Sequence, residues 1–197
     1  MPWPRLAVCL TAGLLLAAPA VAQNPPPPAP PITGAPVPVP LNPGDAFGEE
    51  VTLPERTIVY VEGEAHWDVA FATLLAAYKS LAAALDKQGI KPAGPALTIY
   101  TQTDDAGFKF RAAFPVAAPP TEALPAGFTV GPAPSGRALK FVHRGSYEAM
   151  DTTYEAITNY LDDKQLDAKD VFVEEYQTDI LTTPPDALVV QVFVPVK

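Results

Sequence analysis

The stretch Val171-Phe-Val-Glu-Glu-Tyr-Gln-Thr-Asp179 decides how the fold is organised. Its first six residues are mostly β-branched or aromatic, which predicts a strand that ends in a turn. A shorter, similar motif, Tyr100-Thr-Gln-Thr-Asp104, occurs in the first half of the chain. Two strand ends also match, since Phe114-Pro-Val116 corresponds to Val194-Pro-Val196. The sequence therefore predicts two copies of one module.

The two modules span about residues 56–116 and 138–197, and each contains one predicted helix. Apolar side chains recur every three or four residues from Trp67 to Leu85 and again from Tyr147 to Leu161, a spacing typical of amphipathic helices. Strands precede and follow each helix. We therefore predict an α+β fold made of a duplicated strand-helix-strand-strand module. Its antiparallel sheet would carry two helices on one face and a ligand cleft on the other.

The N-terminal residues have a different composition from the rest of the chain. An apolar run extends from Leu6 to Val21, and Ala20-Val-Ala22 provides the small residues that precede signal-peptide cleavage. We predict a secretory signal over residues 1–22, and export to the periplasm. The alternative is a membrane anchor, but the run is shorter than a spanning helix requires and contains proline. After cleavage, no integral membrane segment is expected.

Proline dominates the next segment. Of the 25 prolines in the chain, ten fall between Pro25 and Pro43, and this density favours an extended polyproline II spacer. We predict a proline-rich linker over residues 23–50 and a globular domain over residues 51–197. A role for the linker in docking a partner stays open.

Charge and cysteine content exclude several classes of function. The chain has 13 Lys and Arg against 22 Asp and Glu, a formal net charge of −9, so a nucleic acid partner is not expected. The single cysteine, Cys9, lies in the predicted signal, which excludes disulfides and thiolate metal sites from the mature protein. The two histidines, His66 and His143, lack a third ligand at a recognisable spacing. We expect both to be isolated and partly exposed, and we expect no metal and no cofactor.

Several residues of the second module together resemble a known family. Gly145-Ser-Tyr147 opens the second helix, Tyr154 follows on it, Glu174-Glu-Tyr176 lies on the next strand, and Val194-Pro-Val196 closes the chain. The sequence from Arg56 to Lys197 thus resembles the GyrI-like small-molecule-binding domain. This domain is also called the bacterial transcription activator effector-binding domain and is related to the SOUL family. The resemblance implies the duplicated module already derived from the repeats.

The resemblance also implies that Glu174 lies at the centre of a cleft for cationic, aromatic or amphipathic ligands. Alternation along the strand places Phe172, Glu174 and Tyr176 on one face, so aromatic rings would flank the carboxylate. The position that corresponds to Glu174 in the first module is Thr98. The alternative is that Glu174 and Glu175 are both solvated on an edge strand.

The predicted ligand site contains residues from both modules. Tyr147 and Trp67 stand at the two helix starts, nearest the rim of the cleft, whereas other aromatic residues of the helices are more typical of a core. The predicted ligand-binding residues are Glu174, Tyr176, Tyr147, Trp67, Phe172 and Tyr100.

We therefore expect an exported, monomeric protein that binds a small organic ligand. Many relatives carry DNA-binding helices, but here the domain follows a signal and a spacer, so gene regulation is not expected. Binding is expected rather than catalysis. Two alternatives stay open: a hydrolase of small electrophilic compounds that uses Glu174 as general base, and a module that presents its sheet edge to a protein partner.

Overall fold

The computed structural model describes residues 44–197. The predicted signal and most of the predicted linker lie outside the described residues. Within this range the strands are β1 (Phe47–Leu53), β2 (Thr57–His66), β3 (Ala96–Thr103), β4 (Gly107–Pro115), β5 (Phe128–Pro132), β6 (Gly136–Gly145), β7 (Phe172–Tyr176) and β8 (Leu188–Pro195). The helices are α1 (Ala70–Lys87) and α2 (Met150–Lys164). Short 3-10 turns lie at Trp67–Val69, Tyr147–Ala149 and Pro185–Ala187.

All eight strands form one antiparallel sheet in the order β1-β6-β8-β7-β3-β4-β2-β5. Each module contributes three central strands, β2-β4-β3 from the first and β6-β8-β7 from the second. The modules meet where β3 pairs with β7, and there Thr98 lies opposite Glu174. The predicted α+β fold and its duplicated module are confirmed.

Both helices pack on the same face of the sheet and form its main core. Helix α1 buries a stripe that includes Leu74, Tyr78 and Leu81, while α2 buries Ile157 and Leu161. Burial of each large apolar side chain stabilises the fold by roughly 1.5–3 kcal/mol. The segment from Trp67 to Lys87 has a mean hydropathy of 1.4 and the length of a membrane span. Of this apolar stretch, 33% is buried within the fold.

The opposite face of the sheet carries a second core, which is formed by side chains of the strands themselves. A second cluster of buried side chains, including Leu97, Ile99 and Val173, lies there. Strands β1 and β2 lie near opposite ends of the strand order, yet only residues 54–56 connect them. The sheet must therefore curl, and the curled sheet covers this cluster. The cleft was predicted on this face, but buried side chains occupy it, and the cavity described below lies on the helix-covered face.

The folded domain begins earlier in the chain than residue 51. Strand β1 starts at Phe47, inside the predicted linker of residues 23–50, and pairs with β6. The pattern of β1 is hard to recognise in the sequence because Gly48 lies at a register shift with φ of +78°. A glycine is needed there, since a side chain would overlap the ring of Tyr160.

Candidate functional site

A cavity of about 990 Å³ lies between the N-terminal ends of the two helices, on the helix-covered face of the sheet. Helices that start on either side of the β3–β7 pair leave a gap between them, and the central strands form its floor. The lining residues are Trp67, Asp68, Val69, Ala70, Phe71, Ala72, Tyr100, Thr103, Asp104, Asp105, Tyr147, Glu148, Met150, Asp151, Tyr154, Phe172 and Glu174. The cleft therefore combines both modules.

Glu174 is the buried carboxylate of this cavity, with 1% of its surface exposed. The Tyr154 hydroxyl donates to Oε1 at 2.9 Å, and the Tyr176 hydroxyl donates to Oε2 at 2.7 Å. Burial raises the pKa of Glu174, and these hydroxyls oppose the rise by stabilising the charged form. Among residues 44–197, no Lys, Arg or His forms an ion pair with Glu174. The site thus holds a carboxylate without a protein cation.

A chain of hydroxyl groups leads to this carboxylate from behind. Because the Tyr176 hydroxyl donates to Glu174, its oxygen accepts from Thr98 Oγ1 at 3.4 Å. The Thr98 oxygen in turn lies 2.8 Å from the Tyr78 hydroxyl, which therefore acts as the donor. Every hydrogen bond in the chain points towards Glu174. This polarity favours the ionised carboxylate.

Aromatic rings form the walls of the cavity and connect the two modules. The ring of Phe71, at the start of α1, lies 4.9 Å from the ring of Tyr147 in the turn before α2. The Tyr147 hydroxyl lies 3.2 Å from the Tyr100 hydroxyl on β3. Rings of this kind offer negative π faces to a cation.

Trp67 forms the rim on the first-module side. Its ring centroid lies 4.7 Å from that of Phe108, and its indole N–H donates to the Asp104 carbonyl at 2.8 Å. The Asp104 carboxylate accepts hydrogen bonds from the backbone N–H groups of Ala106 and Gly107, which lower its pKa. The hairpin between β3 and β4 thus fixes Trp67, which stays 47% exposed.

All charged side chains that line the cavity are acidic. Its lining includes six acidic residues, Asp68, Asp104, Asp105, Glu148, Asp151 and Glu174, and no Lys, Arg or His. Such a lining raises the local concentration of cations and repels anions. The arrangement can hold a cation by charge and by π contacts together.

The structure brings most of the predicted site residues together. Glu174, Tyr147, Trp67, Phe172 and Tyr100 line the cavity. Tyr176 lies behind Glu174, is 2% exposed, and reaches the site through its hydrogen bond to the carboxylate.

The predicted site lacked Tyr154, Phe71 and the acidic residues Asp68, Asp104, Asp105, Glu148 and Asp151 of the cavity lining. Tyr154 lies on the apolar stripe of α2, where a tyrosine that supports a ligand site has the same spacing as one in a core. Phe71 and the rim acids carry no local signal, because only the approach of the two helix starts brings them to one cavity.

His143 is buried, and the prediction of a partly exposed side chain was wrong for it. It lies on β6, under the start of α2, and it bonds to Thr153 and to the Ser146 carbonyl. His66 is exposed and its Nδ1 bonds to the Ala106 carbonyl. Within residues 44–197, His, Cys, Asp and Glu side chains form no group of three or more that could hold a metal ion.

Comparisons with known proteins agree with this geometry. A family model described as the GyrI-like small molecule binding domain matches residues 49–197. No curated protein sequence matches the chain.

Several solved structures share the fold. A cryo-EM structure of an EcmrR–DNA complex superposes with a TM-score of 0.66 at 13% identity, covering 77% of this chain and 57% of EcmrR. The structure of SAV2435 bound to tetraphenylphosphonium superposes with a TM-score of 0.57 at 18% identity, and the match covers 77% of this chain and 94% of SAV2435. A hydrolase from Listeria innocua superposes with a TM-score of 0.51 at 14% identity, and the match covers 78% of this chain and 93% of the hydrolase. The chain thus spans little more than half of the EcmrR chain.

Proposed function

The chain belongs to the GyrI-like small-molecule-binding domain family, and on that premise we propose that its cleft binds hydrophobic organic cations. One observation carries the proposal: Glu174 is a buried carboxylate with no protein cation beside it in the described chain, at the floor of an aromatic cavity. A buried charge without a partner is costly, and a ligand cation offsets that cost.

The aromatic walls of the cavity favour organic cations over small, strongly hydrated ones. A small, strongly hydrated cation would lose its water in this cavity and gain few hydrogen bonds in return. A cation whose charge is spread over apolar groups loses little hydration, and it gains contacts with Phe71, Tyr147 and Phe172. The tetraphenylphosphonium complex of SAV2435, which shares the fold, supports this class of test ligand.

Export to the periplasm is also part of the proposal and rests on sequence alone. The apolar run that ends at Ala22 and the proline-rich segment that follows support a domain held by a spacer outside the inner membrane. EcmrR is seen in complex with DNA. The net charge of −9 and the acidic lining of the cleft argue against a nucleic acid partner for this chain.

A second candidate function is hydrolysis of a small electrophile, with Glu174 as general base. The raised pKa of Glu174 supports it, because a base works best when its pKa lies near the operating pH. Both carboxylate oxygens already accept a tyrosine hydroxyl, which favours binding as the primary role. Turnover of an epoxide probe by the wild type and not by Glu174→Gln would support the hydrolase.

Calorimetric titration with tetraphenylphosphonium tests the binding proposal. We expect Glu174→Gln to weaken binding by about tenfold or more, since a charge-assisted contact contributes at least about 1.5 kcal/mol. Glu155→Gln is the matched control, because Glu155 is exposed on α2 and outside the cavity. Neutral triphenylphosphine oxide should bind weakly to all three proteins. Equal affinity of wild type and Glu174→Gln for the cation would contradict the proposal.

A further inference from the structure

His143 makes two hydrogen bonds in the core of the second module. Its side chain is fully buried, with Nδ1 2.7 Å from the Thr153 hydroxyl and Nε2 3.0 Å from the Ser146 carbonyl. A carbonyl oxygen only accepts, so Nε2 carries the hydrogen. In the neutral ring Nδ1 then has no hydrogen and accepts from the Thr153 hydroxyl. Burial lowers the pKa of His143, which keeps the ring neutral near pH 7.

Both partners of this ring stand directly before a tyrosine of the cleft. Ser146 precedes Tyr147, whose hydroxyl lies 3.2 Å from that of Tyr100. Thr153 precedes Tyr154, whose hydroxyl donates to Glu174 at 2.9 Å. A single imidazole thus connects the turn that carries one tyrosine to the helix that carries the other.

The turn that carries Tyr147 directly follows a glycine at the end of β6. Gly145, at the end of β6, has φ of +119°, a conformation that only glycine adopts readily. The Ser146 side chain accepts a hydrogen bond from the Glu148 N–H at 3.2 Å, which orders the start of the 3-10 turn but does not attach it to the sheet. The bond from His143 to the Ser146 carbonyl attaches the turn to β6, in addition to the contact between the Tyr147 and Tyr100 hydroxyls on the side of β3.

The first module anchors its equivalent turn in another way. There, the Ala106 carbonyl accepts from the Trp67 backbone N–H at 3.4 Å and lies 3.1 Å from His66 Nδ1. Near this turn, β2 carries the small residues Gly63 and Ala65. No buried histidine equivalent to His143 lies beneath the turn in the described chain. The two rims of the cleft are therefore held by different residues.

We propose that His143 is a positioning residue of the cleft, which holds Tyr147 and Tyr154 in place around Glu174. The inference rests on the proposed function, because the affected property is affinity for a cation. His143 does not contact the cavity itself. It acts through Ser146 and Thr153, and its loss would widen the range of positions that both tyrosine hydroxyls adopt.

Two substitutions of Thr153 separate this role from simple packing. Thr153→Val keeps the shape of the side chain and removes the hydroxyl, whereas Thr153→Ser keeps the hydroxyl and removes a methyl group. If the hydrogen bond to His143 positions Tyr154, Thr153→Val weakens tetraphenylphosphonium binding by about tenfold and Thr153→Ser leaves it nearly unchanged. If Thr153 only fills space, the serine variant binds more weakly than the valine variant, and that order would overturn the proposal.

A ligand-free measurement keeps the test independent of the proposed function. Amide hydrogen exchange of residues 146–150 should accelerate in His143→Phe and Thr153→Val and stay at the wild-type rate in Thr153→Ser and in the control His66→Gln. Unchanged exchange in both His143→Phe and Thr153→Val would overturn the positioning role. If the exchange result holds but wild type binds no hydrophobic cation, the proposed function fails and the structural role of His143 stands.

Discussion

Thr98 and Glu174 lie directly opposite each other at the junction of the two modules, on the neighbouring strands β3 and β7. The internal alignment that matches Tyr100 with Tyr176 also matches Thr98 with Glu174, so the two residues occupy equivalent positions of the duplicated module. The centre of the repeat thus carries a hydroxyl on one strand and a carboxylate on the other. Two carboxylates there would repel each other. One carboxylate supported by a hydroxyl produces a single charged site.

The tyrosine hydroxyls around Glu174 should determine how strongly it binds a cation. Tyr154→Phe removes one of the tyrosine hydroxyls that stabilise the carboxylate, so the pKa of Glu174 rises further and affinity for tetraphenylphosphonium falls about tenfold at pH 7. Calorimetric titration measures the change. Tyr160→Phe is the control, because its hydroxyl bonds to the Gly48 carbonyl outside the cavity. A Tyr154→Phe variant that binds like the control would show that this hydroxyl does not support the site.

Glu174 should make the protein less stable as the pH rises. Burial raises its pKa above 4.5, the usual value, so the folded state holds the proton more tightly than the unfolded chain does. Stability is then retained below about pH 4.5 and lost as the pH rises through the folded-state pKa, by about 1.4 kcal/mol for each pH unit between the two values. Glu174→Gln removes this loss. Its stability relative to wild type, measured by urea unfolding, should increase from pH 4 to pH 7.

Two checks accompany that measurement. Glu155→Gln serves as the matched control, because Glu155 is exposed on α2. Saturating tetraphenylphosphonium should reduce the pH dependence of wild type, because a bound cation stabilises the carboxylate. A difference between wild type and Glu174→Gln that is constant from pH 4 to pH 7 would contradict burial of a titrating carboxylate.

Trp67 should report binding by its fluorescence. The chain has two tryptophans, Trp3 and Trp67, and Trp67 lines the cavity with 47% of its surface exposed. In a Trp3→Phe protein we expect a saturable change in tryptophan emission on addition of tetraphenylphosphonium. Adding Glu174→Gln should move the midpoint to higher ligand concentration. An emission spectrum that does not change while calorimetry detects binding would place the ligand away from Trp67.

Gly107 should tolerate no side chain. A methyl group at this position would overlap the carbonyl oxygen of Ala65 on the paired strand β2, and strand backbone cannot move without breaking the pairing. We expect Gly107→Ala to lower the free energy of unfolding by roughly 1–3 kcal/mol. Gly94→Ala is the control, since a methyl there makes only ordinary contact with Pro115 and should change stability by less than about 0.5 kcal/mol. Equal stability of the two variants in urea unfolding would contradict this packing.

Most of the fold could be predicted because its signals are local. The spacing of apolar residues from Trp67 to Leu85 and the helix start at Gly145-Ser-Tyr147 are both read over a few neighbouring positions, and the structure contains both features. Strand β1 escaped prediction for the same reason: Gly48 and the acidic residues beside it interrupt the local pattern, and only pairing with β6 makes the segment a strand.

The site could be predicted in part. Glu174 and Phe172 lie on one face of β7 by alternation, and the structure places both in the cavity. Tyr176 shares that face but is covered by its neighbours. Alternation indicates which residues share a face, yet it does not indicate which face the helices cover, and the cleft was therefore predicted on the wrong side of the sheet.

The amino-acid sequence alone determined the duplication, the order of the elements within each module and the position of Glu174 on its strand, because repeats and periodicity are properties of one chain read in order. The tertiary structure decided what surrounds Glu174. Residues from α1, α2, β3 and β7, far apart in sequence, enclose it only once both helices pack over one face and the curled sheet fills the other. Burial without a cation, and with it the proposed affinity for a hydrophobic cation, is a result of that packing.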